Sequence, residues 1–161
     1  MSATTDQPDH ATSADPDQVH PLPESIPKLL TRSFLVLSVP TDAWVQLFSD
    51  RIVFGVSQLD GKIGTYLLCE AVTTEANLRQ TEYHLSTLLG SRSDDSMGGV
   101  YARTLHERLR GINNIAINNK PPVILLGIAL DKDKGNDPKM FKLLVDLLVD
   151  MYVDAIQEKP E

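Results

Sequence analysis

The two strongest structural signals in this chain lie in residues 123–157, VILLGIALDKDKGNDPKMFKLLVDLLVDMYVDAIQ. Residues 123–130 are wholly apolar, which predicts a strand that is covered on both faces. A turn follows and leads into a helix over Lys139–Gln157, with Asp137 as its N-cap and Pro138 at its first position. The rest of the fold has to supply the cover that this strand and this helix require.

The final helix is apolar around most of its circumference. Its recurring polar residues are spaced four apart and occupy roughly a third of the helix surface; they are Lys142, Asp146, Asp150 and Asp154. A helix with two apolar faces is either buried deeply in its own domain or covered by a second polypeptide. For the second alternative, we predict a partner-binding face that includes Phe141, Leu148 and Tyr152.

Five strands and one helix are predicted before this C-terminal stretch. The strands are Ser33–Val39, Ala43–Phe48, Ile52–Gln58, Thr65–Val72 and Glu82–Leu89, and the helix is Val100–Ile112. Pro40 is expected to interrupt the first strand, and Asp60-Gly61 to form a hairpin turn. Gly55 is expected to mark a bulge or a close backbone approach. The order predicts an α+β domain with a largely antiparallel sheet of about six strands, flanked by two helices.

Residues 1–31 differ in composition from the rest of the chain. They hold half of the prolines, and their five acidic residues face one basic residue, Lys28. Apolar side chains are few before Leu29, so this segment is predicted to be a disordered tail. A docking motif around Leu22–Leu30 is the alternative. The remainder is predicted to form one domain over residues 32–157, with a short C-terminal tail over 158–161.

The overall charge and the single cysteine narrow the class of partner and the compartment. A net charge of −7 and a pI near 5.0 argue against nucleic acid and against an anionic membrane surface as partners. No apolar run is long enough to be a transmembrane helix or resembles a signal peptide. Cys69 is alone, which favours the reducing cytosol or nucleus, and it is predicted to be packed and inert.

Catalytic and metal-binding motifs are lacking in the sequence. His84 and His106 are not spaced to share a metal ion with each other. Residues 131–142 superficially resemble a calcium loop, but Lys142 stands where a bidentate glutamate is required. We therefore predict no metal, no cofactor and no enzymatic activity.

Several short segments, taken in order and at their spacings, closely resemble the proteasome assembly chaperone 3 family. They are Val39-Pro40-Thr41, Phe48-Ser49, Ile52-Val53, Val56-x-Gln58, Gly61-Lys62-Ile63-Gly64-Thr65, Leu88-Leu89-Gly90 and Leu125-Leu126-x-Ile128-Ala129-Leu130-Asp131-Lys132-Asp133. The likeness covers roughly Ser38 to Ala155. The tail is longer than the family pattern, and the segments Ala71–Tyr83 and Arg110–Pro121 look extended.

The resemblance implies a non-enzymatic protein with an antiparallel sheet flanked by helices. It implies a dimer, typically a heterodimer with proteasome assembly chaperone 4, that helps α-type subunits of the core particle form a ring in the correct order. The resemblance also implies that the dimer leaves before the particle matures.

Charged loops at the margin of the sheet are the predicted contacts with α-type subunits, because flexible charged loops on a rigid scaffold can steer association. The candidates are Asp60, Lys62 and, in the loop Ser91–Met97, Asp94 and Asp95. Two other classes stay open: a roadblock- or longin-like dimeric trafficking scaffold, and a small enzyme with an unrecognised site. Roadblock and longin folds place a helix between strands near the start, whereas five strands precede the first helix here.

Overall fold

The computed structural model describes residues 27–72, 81–90, 97–112 and 122–157. In chain order the elements are β1 (Lys28–Val36), β2 (Val39–Leu47), β3 (Arg51–Ser57), β4 (Thr65–Val72), β5 (Glu82–Leu89), α1 (Met97–Arg110), β6 (Val123–Ala129) and α2 (Pro138–Gln157). The predicted α+β class and order of elements are confirmed. Residues 1–26 of the predicted tail, residues 158–161 and the pair Asp94 and Asp95 lie outside the described residues.

The six strands form one sheet in the order β1-β2-β3-β6-β4-β5. Every neighbouring pair is antiparallel except β3 and β6, which are parallel. The predicted hairpin at Asp60-Gly61 is therefore wrong, because the two strands on either side of this turn, β3 and β4, do not pair with each other. The turn itself is present, with positive φ at both residues, but β6 lies between the two strands that the turn connects. A wholly apolar strand is most stable at the centre of a sheet, and β6 takes that position.

Both helices cover the same face of the sheet. Helix α1 packs on β4 and β6, α2 packs on β1 and β2, and the two helices contact each other. The core lies between this layer and the sheet; its largest fully buried side chains include Phe54, Tyr101, Leu105, Leu126, Leu144 and Leu148. No described element covers the other face, where Leu125 of β6 stays half-exposed. The expectation that β6 is covered on both faces is confirmed only on the helix side.

The first hairpin departs from the sequence prediction in two ways. Strand β1 begins at Lys28, so residues 28–31, assigned to the tail by composition, belong to the sheet. Pro40 lies inside β2 opposite Leu35, and the chain turns instead at Leu37 and Ser38, both with positive φ. Pairing between β2 and β3 starts only at Asp42, so no hydrogen bond to β3 is lost through the missing backbone N–H of Pro40. A turn of this type usually carries Gly or Asn; Leu37 and Ser38 are neither, so the sequence did not predict a turn at this position.

Helix α2 begins as predicted. The Asp137 side-chain oxygen accepts a hydrogen bond from the Lys139 N–H at 2.8 Å, and Pro138 is the first helical residue. Two members of its polar row reach neighbouring elements: Asp146 pairs with Arg108 of α1 at 2.5 Å, and Asp154 pairs with Arg32 of β1 at 2.7 Å. These exposed ion pairs contribute little energy individually, and packing against β1, β2 and α1 is what holds α2 on the sheet.

Candidate functional site: the uncovered face of the sheet

Two glycines lie side by side in the two central strands, and each is covered by an aromatic ring. Gly55 of β3 is paired with Gly127 of β6. A Cβ atom added at Gly55 would lie 1.8 Å from the indole of Trp44, and one added at Gly127 would lie 2.9 Å from the ring of Tyr66. The rings therefore lie against the centre of the sheet, on the face opposite the helices. The close approach predicted at Gly55 is made by a side chain, and the strand has no bulge there.

The row next to the rings is apolar across three strands. Val53, Leu125 and Leu68 are opposite one another in β3, β6 and β4. Val53 is 9% exposed but does not belong to the core cluster, and Leu125 and Leu68 are half-exposed. We call the surface formed by Trp44, Val53, Tyr66, Leu68 and Leu125 the open face.

The open face forms the apolar centre of the uncovered side of the sheet, and that side is large for a protein of this size. For the whole uncovered side, six strands at a spacing of about 4.8 Å and about seven residues per strand at about 3.3 Å give roughly 650 Å². Monomeric proteins rarely leave a continuous apolar patch of several hundred Å² exposed unless it binds a partner. A standard interface buries about 800 Å² on each partner, so the whole uncovered side of the sheet, with the open face as its apolar centre, is large enough to supply most of one.

The loop over residues 58–64 folds against the top of the open face. The Ser57 hydroxyl donates to the Lys62 carbonyl oxygen at 2.8 Å and accepts from the Leu59 N–H at 3.3 Å. Gly61 contributes to a depression of about 350 Å³ that Trp44 also lines. Ile63, which is 40% exposed, approaches Gly127 beside Tyr66. This loop is the rim of the open face.

Gln58 fixes the rim to the rest of the domain. Its side-chain nitrogen donates to the Thr41 hydroxyl at 3.2 Å and lies 3.3 Å from the Met140 sulfur. Its side-chain oxygen accepts from the Asp131 N–H at 3.1 Å, and its own N–H donates to the Ala129 carbonyl at 2.7 Å. The rim is thus held to β2, β6 and α2 by one side chain and its backbone.

The predicted partner-binding residues are divided between the two sides of the sheet. Asp60 and Lys62 are exposed on the rim. Phe141, Leu148 and Tyr152 lie on α2, on the helix side. Leu148 is 0% exposed and Tyr152 is 6% exposed, both inside the core cluster, while Phe141 stacks edge-on against Tyr101 at 4.6 Å. Those three side chains contribute to the chain's own core, and their contact with a partner stays a prediction.

The titratable side chains in the core are held in their neutral forms. Burial raises the pKa of the Cys69 thiol to about 11, which agrees with the prediction of a packed thiol. Burial lowers the pKa of His106, whose Nε2–H donates to the Pro122 carbonyl at 3.0 Å. Within the described ranges no three His, Cys, Asp or Glu residues could hold a metal ion. No helix among those ranges is long and apolar enough to cross a membrane.

The sequence alone did not predict that Trp44, Tyr66 and Leu125 form one surface. Gly55 was recognised as unusual, but its partner Gly127 is 72 residues away in the chain. Only the parallel pairing of β3 with β6 brings the two glycines together. A sequence signal existed in the single tryptophan, which precedes a glycine-containing strand, but its neighbour could not be inferred without the strand order.

Comparison with known proteins identifies the family. No curated protein sequence matches the chain. A chain in the crystal structure of a novel chaperone complex for yeast 20S proteasome assembly is 15% identical, with a TM-score of 0.56, over 80% of this chain and 99% of that chain. At this identity the likeness concerns the fold. The family model for proteasome assembly chaperone 3 matches residues 55–151, which span β3 to α2. The chain therefore belongs to the proteasome assembly chaperone 3 family.

Proposed function

We propose that this protein is a non-enzymatic chaperone of proteasome core-particle assembly. It acts in the cytoplasm and nucleus as one subunit of a dimer, with a partner similar to proteasome assembly chaperone 4. The dimer promotes ordered formation of the α-ring and leaves before the particle matures. The family match carries this proposal, and the fold shared with a chain of a yeast proteasome-assembly chaperone complex supports it.

The open face is the surface on which the partner subunit binds. It is apolar and lies in the middle of the sheet, and the uncovered side around it is nearly as large as one side of a standard interface. Two sheets that pack face to face lie about 10 Å apart, with side chains of both inner faces interdigitating. Trp44 and Tyr66 would then be the anchors, because large aromatic side chains near the centre of an interface supply much of its binding energy.

The rim supplies contacts with α-type subunits. Asp60 and Lys62 project from a loop whose backbone is fixed through Ser57 and Gln58, so opposite charges are displayed at defined positions. Such charges steer association and discriminate between similar subunits, and their contribution decreases with salt. Asp94 and Asp95 remain candidates for the same role.

Charged substitutions on the open face test the dimer. Leu125→Glu places a carboxylate at the centre of the face and should abolish pairing with the chaperone 4-like partner in light scattering. Ile63→Glu, on the rim, should weaken pairing without affecting the fold, since this side chain is already 40% exposed. Leu143→Glu on α2 is the matched control, because Leu143 is 44% exposed on the helix side. Native affinity in both face variants would show that the subunits meet elsewhere.

Reconstitution tests the chaperone activity itself. Purified α-type subunits should form rings of correct order faster with the wild-type dimer than without it, as measured by native mass spectrometry. Reversing Asp60 and Lys62 together, or Asp94 and Asp95 together, should slow binding to α-type subunits at low salt only. Identical rates and ring order with and without the protein would contradict the assignment.

A further inference from the structure

A second candidate binding surface lies on the outer edge of the sheet. Strand β1 is the terminal strand, and within residues 27–72, 81–90, 97–112 and 122–157 no strand pairs with its outer edge. It is nine residues long and has neither a proline nor a bulge. Proteins usually protect a long edge with charges that project from it or with a kink. Arg32, the cation in the middle of β1, is instead tied to Asp154 of α2.

A groove runs beside this edge on the helix side. Its volume is about 410 Å³, and it is lined by Arg32 and Phe34 of β1 and by Leu147, Asp150, Met151, Val153 and Asp154 of α2. Phe34, Leu147 and Val153 are half-buried, so the groove keeps an apolar floor in contact with solvent. Among the described residues, Asp150 is exposed and has no cationic partner, whereas Asp154 is neutralised by Arg32. The groove therefore carries one uncompensated negative charge.

We propose that β1 and this groove bind an extended segment of a partner protein in which basic and apolar side chains alternate along one face. The free edge of β1 provides backbone donors and acceptors for an added strand about 4.8 Å away. Every second side chain of that strand would point to the helix side and enter the groove. An apolar side chain would contact Phe34 and Leu147, and a Lys or Arg two residues along would pair with Asp150.

Charge complementarity favours this occupant over the chain's own N-terminal segment. Residues 1–26 contain five acidic residues and no Lys or Arg, and would bring further negative charge to Asp150. They are also rich in proline, which cannot donate to a strand edge. The groove and the open face lie on opposite sides of the sheet, so a segment can bind in the groove whether or not the open face is occupied.

Peptide binding to the full-length chain tests the proposal. The probe is a fluorescein-labelled peptide, Lys-Thr-Leu-Thr-Lys-Thr-Val-Thr, and its control has Glu in place of both Lys residues. We expect saturable binding of the basic peptide only. Asp150→Lys should weaken it about tenfold and Asp150→Asn about threefold, whereas Asp146→Asn, which removes the same charge on the α1 side of the helix, should change it less than about twofold. Absence of saturable binding, or equal effects of the two Asn variants, would overturn the proposal.

Hydrogen exchange of the β1 amides identifies the occupant. In the free chain, the outward-facing amides of β1 should exchange quickly, and the basic peptide should protect them. Protection without peptide that is independent of protein concentration would show that the N-terminal segment occupies the edge. Protection that rises with concentration would show that a second copy does. Either result would exclude the proposed partner segment.

Discussion

Replacing Gly55 by alanine should displace the Trp44 indole from the centre of the open face. The added Cβ atom would lie 1.8 Å from the ring, a separation that no small adjustment relieves. The backbone around Gly55 is fixed by pairing with both β2 and β6, so the side chain of Trp44 must move. The ring would leave the sheet and turn toward solvent.

The stability loss follows from the area that the ring covers. A buried tryptophan covers about 200 Å², so one face of the ring accounts for about 100 Å². At about 25 cal/mol per Å² this burial is worth roughly 2.5 kcal/mol. Replacing a glycine inside a strand returns about 0.5–1 kcal/mol. The net expected loss in the free energy of unfolding is therefore about 1.5–2 kcal/mol.

Trp44 is the only tryptophan, so the substitution can be followed at the residue that moves. Urea unfolding by far-UV circular dichroism gives the stability change, and the emission maximum of the folded protein should shift to the red. Gly111→Ala is the matched control, because its added Cβ atom would make only an ordinary 3.4 Å contact. Both measurements should be made at protein concentrations low enough that further dilution no longer changes the emission maximum, so that dimer dissociation does not contribute. A Gly55→Ala protein with unchanged stability and emission would refute the packing of Trp44 on Gly55.

Three further predictions concern the core and the tail. Leu148→Ala should lower the free energy of unfolding by about 3 kcal/mol in urea titrations, because Leu148 is fully buried. Leu143→Ala, the control, should change it by less than about 0.5 kcal/mol. If Leu148→Ala instead lost pairing with the partner and kept its stability, the result would support an interface on α2. The free energy of unfolding should decrease as the pH falls below about 6.5, by up to about 1.4 kcal/mol per pH unit, because His106 binds a proton more readily in the unfolded chain than in the buried site. His106→Gln should remove this dependence of stability on pH, and an unchanged dependence in that variant would show that other groups cause it. Deleting residues 1–26 should leave the Tm within about 2 °C in calorimetry, since that segment lacks apolar anchors; a larger drop would mean that it docks on the domain.

The sequence predicted the elements well and their neighbours less well. Hydrophobic periodicity and the Asp137 cap are local signals, so β3 to β6 and α2 were placed within a few residues, whereas β1 and β2 begin at Lys28 and Val39 rather than at the predicted Ser33 and Ala43. The position of β6 between β3 and β4 depends on contacts far apart in the chain. The Asp60-Gly61 turn signal could report that the chain reverses but not which strand fills the space beside it.

The candidate site was predictable only in part for the same reason. The apolar excess of α2 predicted either deep burial or cover by a second polypeptide; Leu148 and Tyr152 are buried against the chain's own core, and a partner contact on α2 stays a prediction. Within a single strand, a half-covered sheet face appears as alternation of buried and half-exposed positions, as in β4, or is hidden in a continuous apolar run, as in β6. Its significance emerges only when Trp44, Leu125 and Tyr66 are found next to one another.

The insertion of β6 also governs the order in which this protein can fold during synthesis. The β1–β2–β3 meander and the β4–β5 hairpin both leave the ribosome before residue 123, but neither is joined to the other until β6 arrives. Until then β3 and β4 each present an open inner edge, the kind of surface on which nascent chains aggregate. The closing contacts have large sequence separation, which slows folding. This protein is therefore expected to expose two unpaired strand edges during its own synthesis, before it can act as a chaperone.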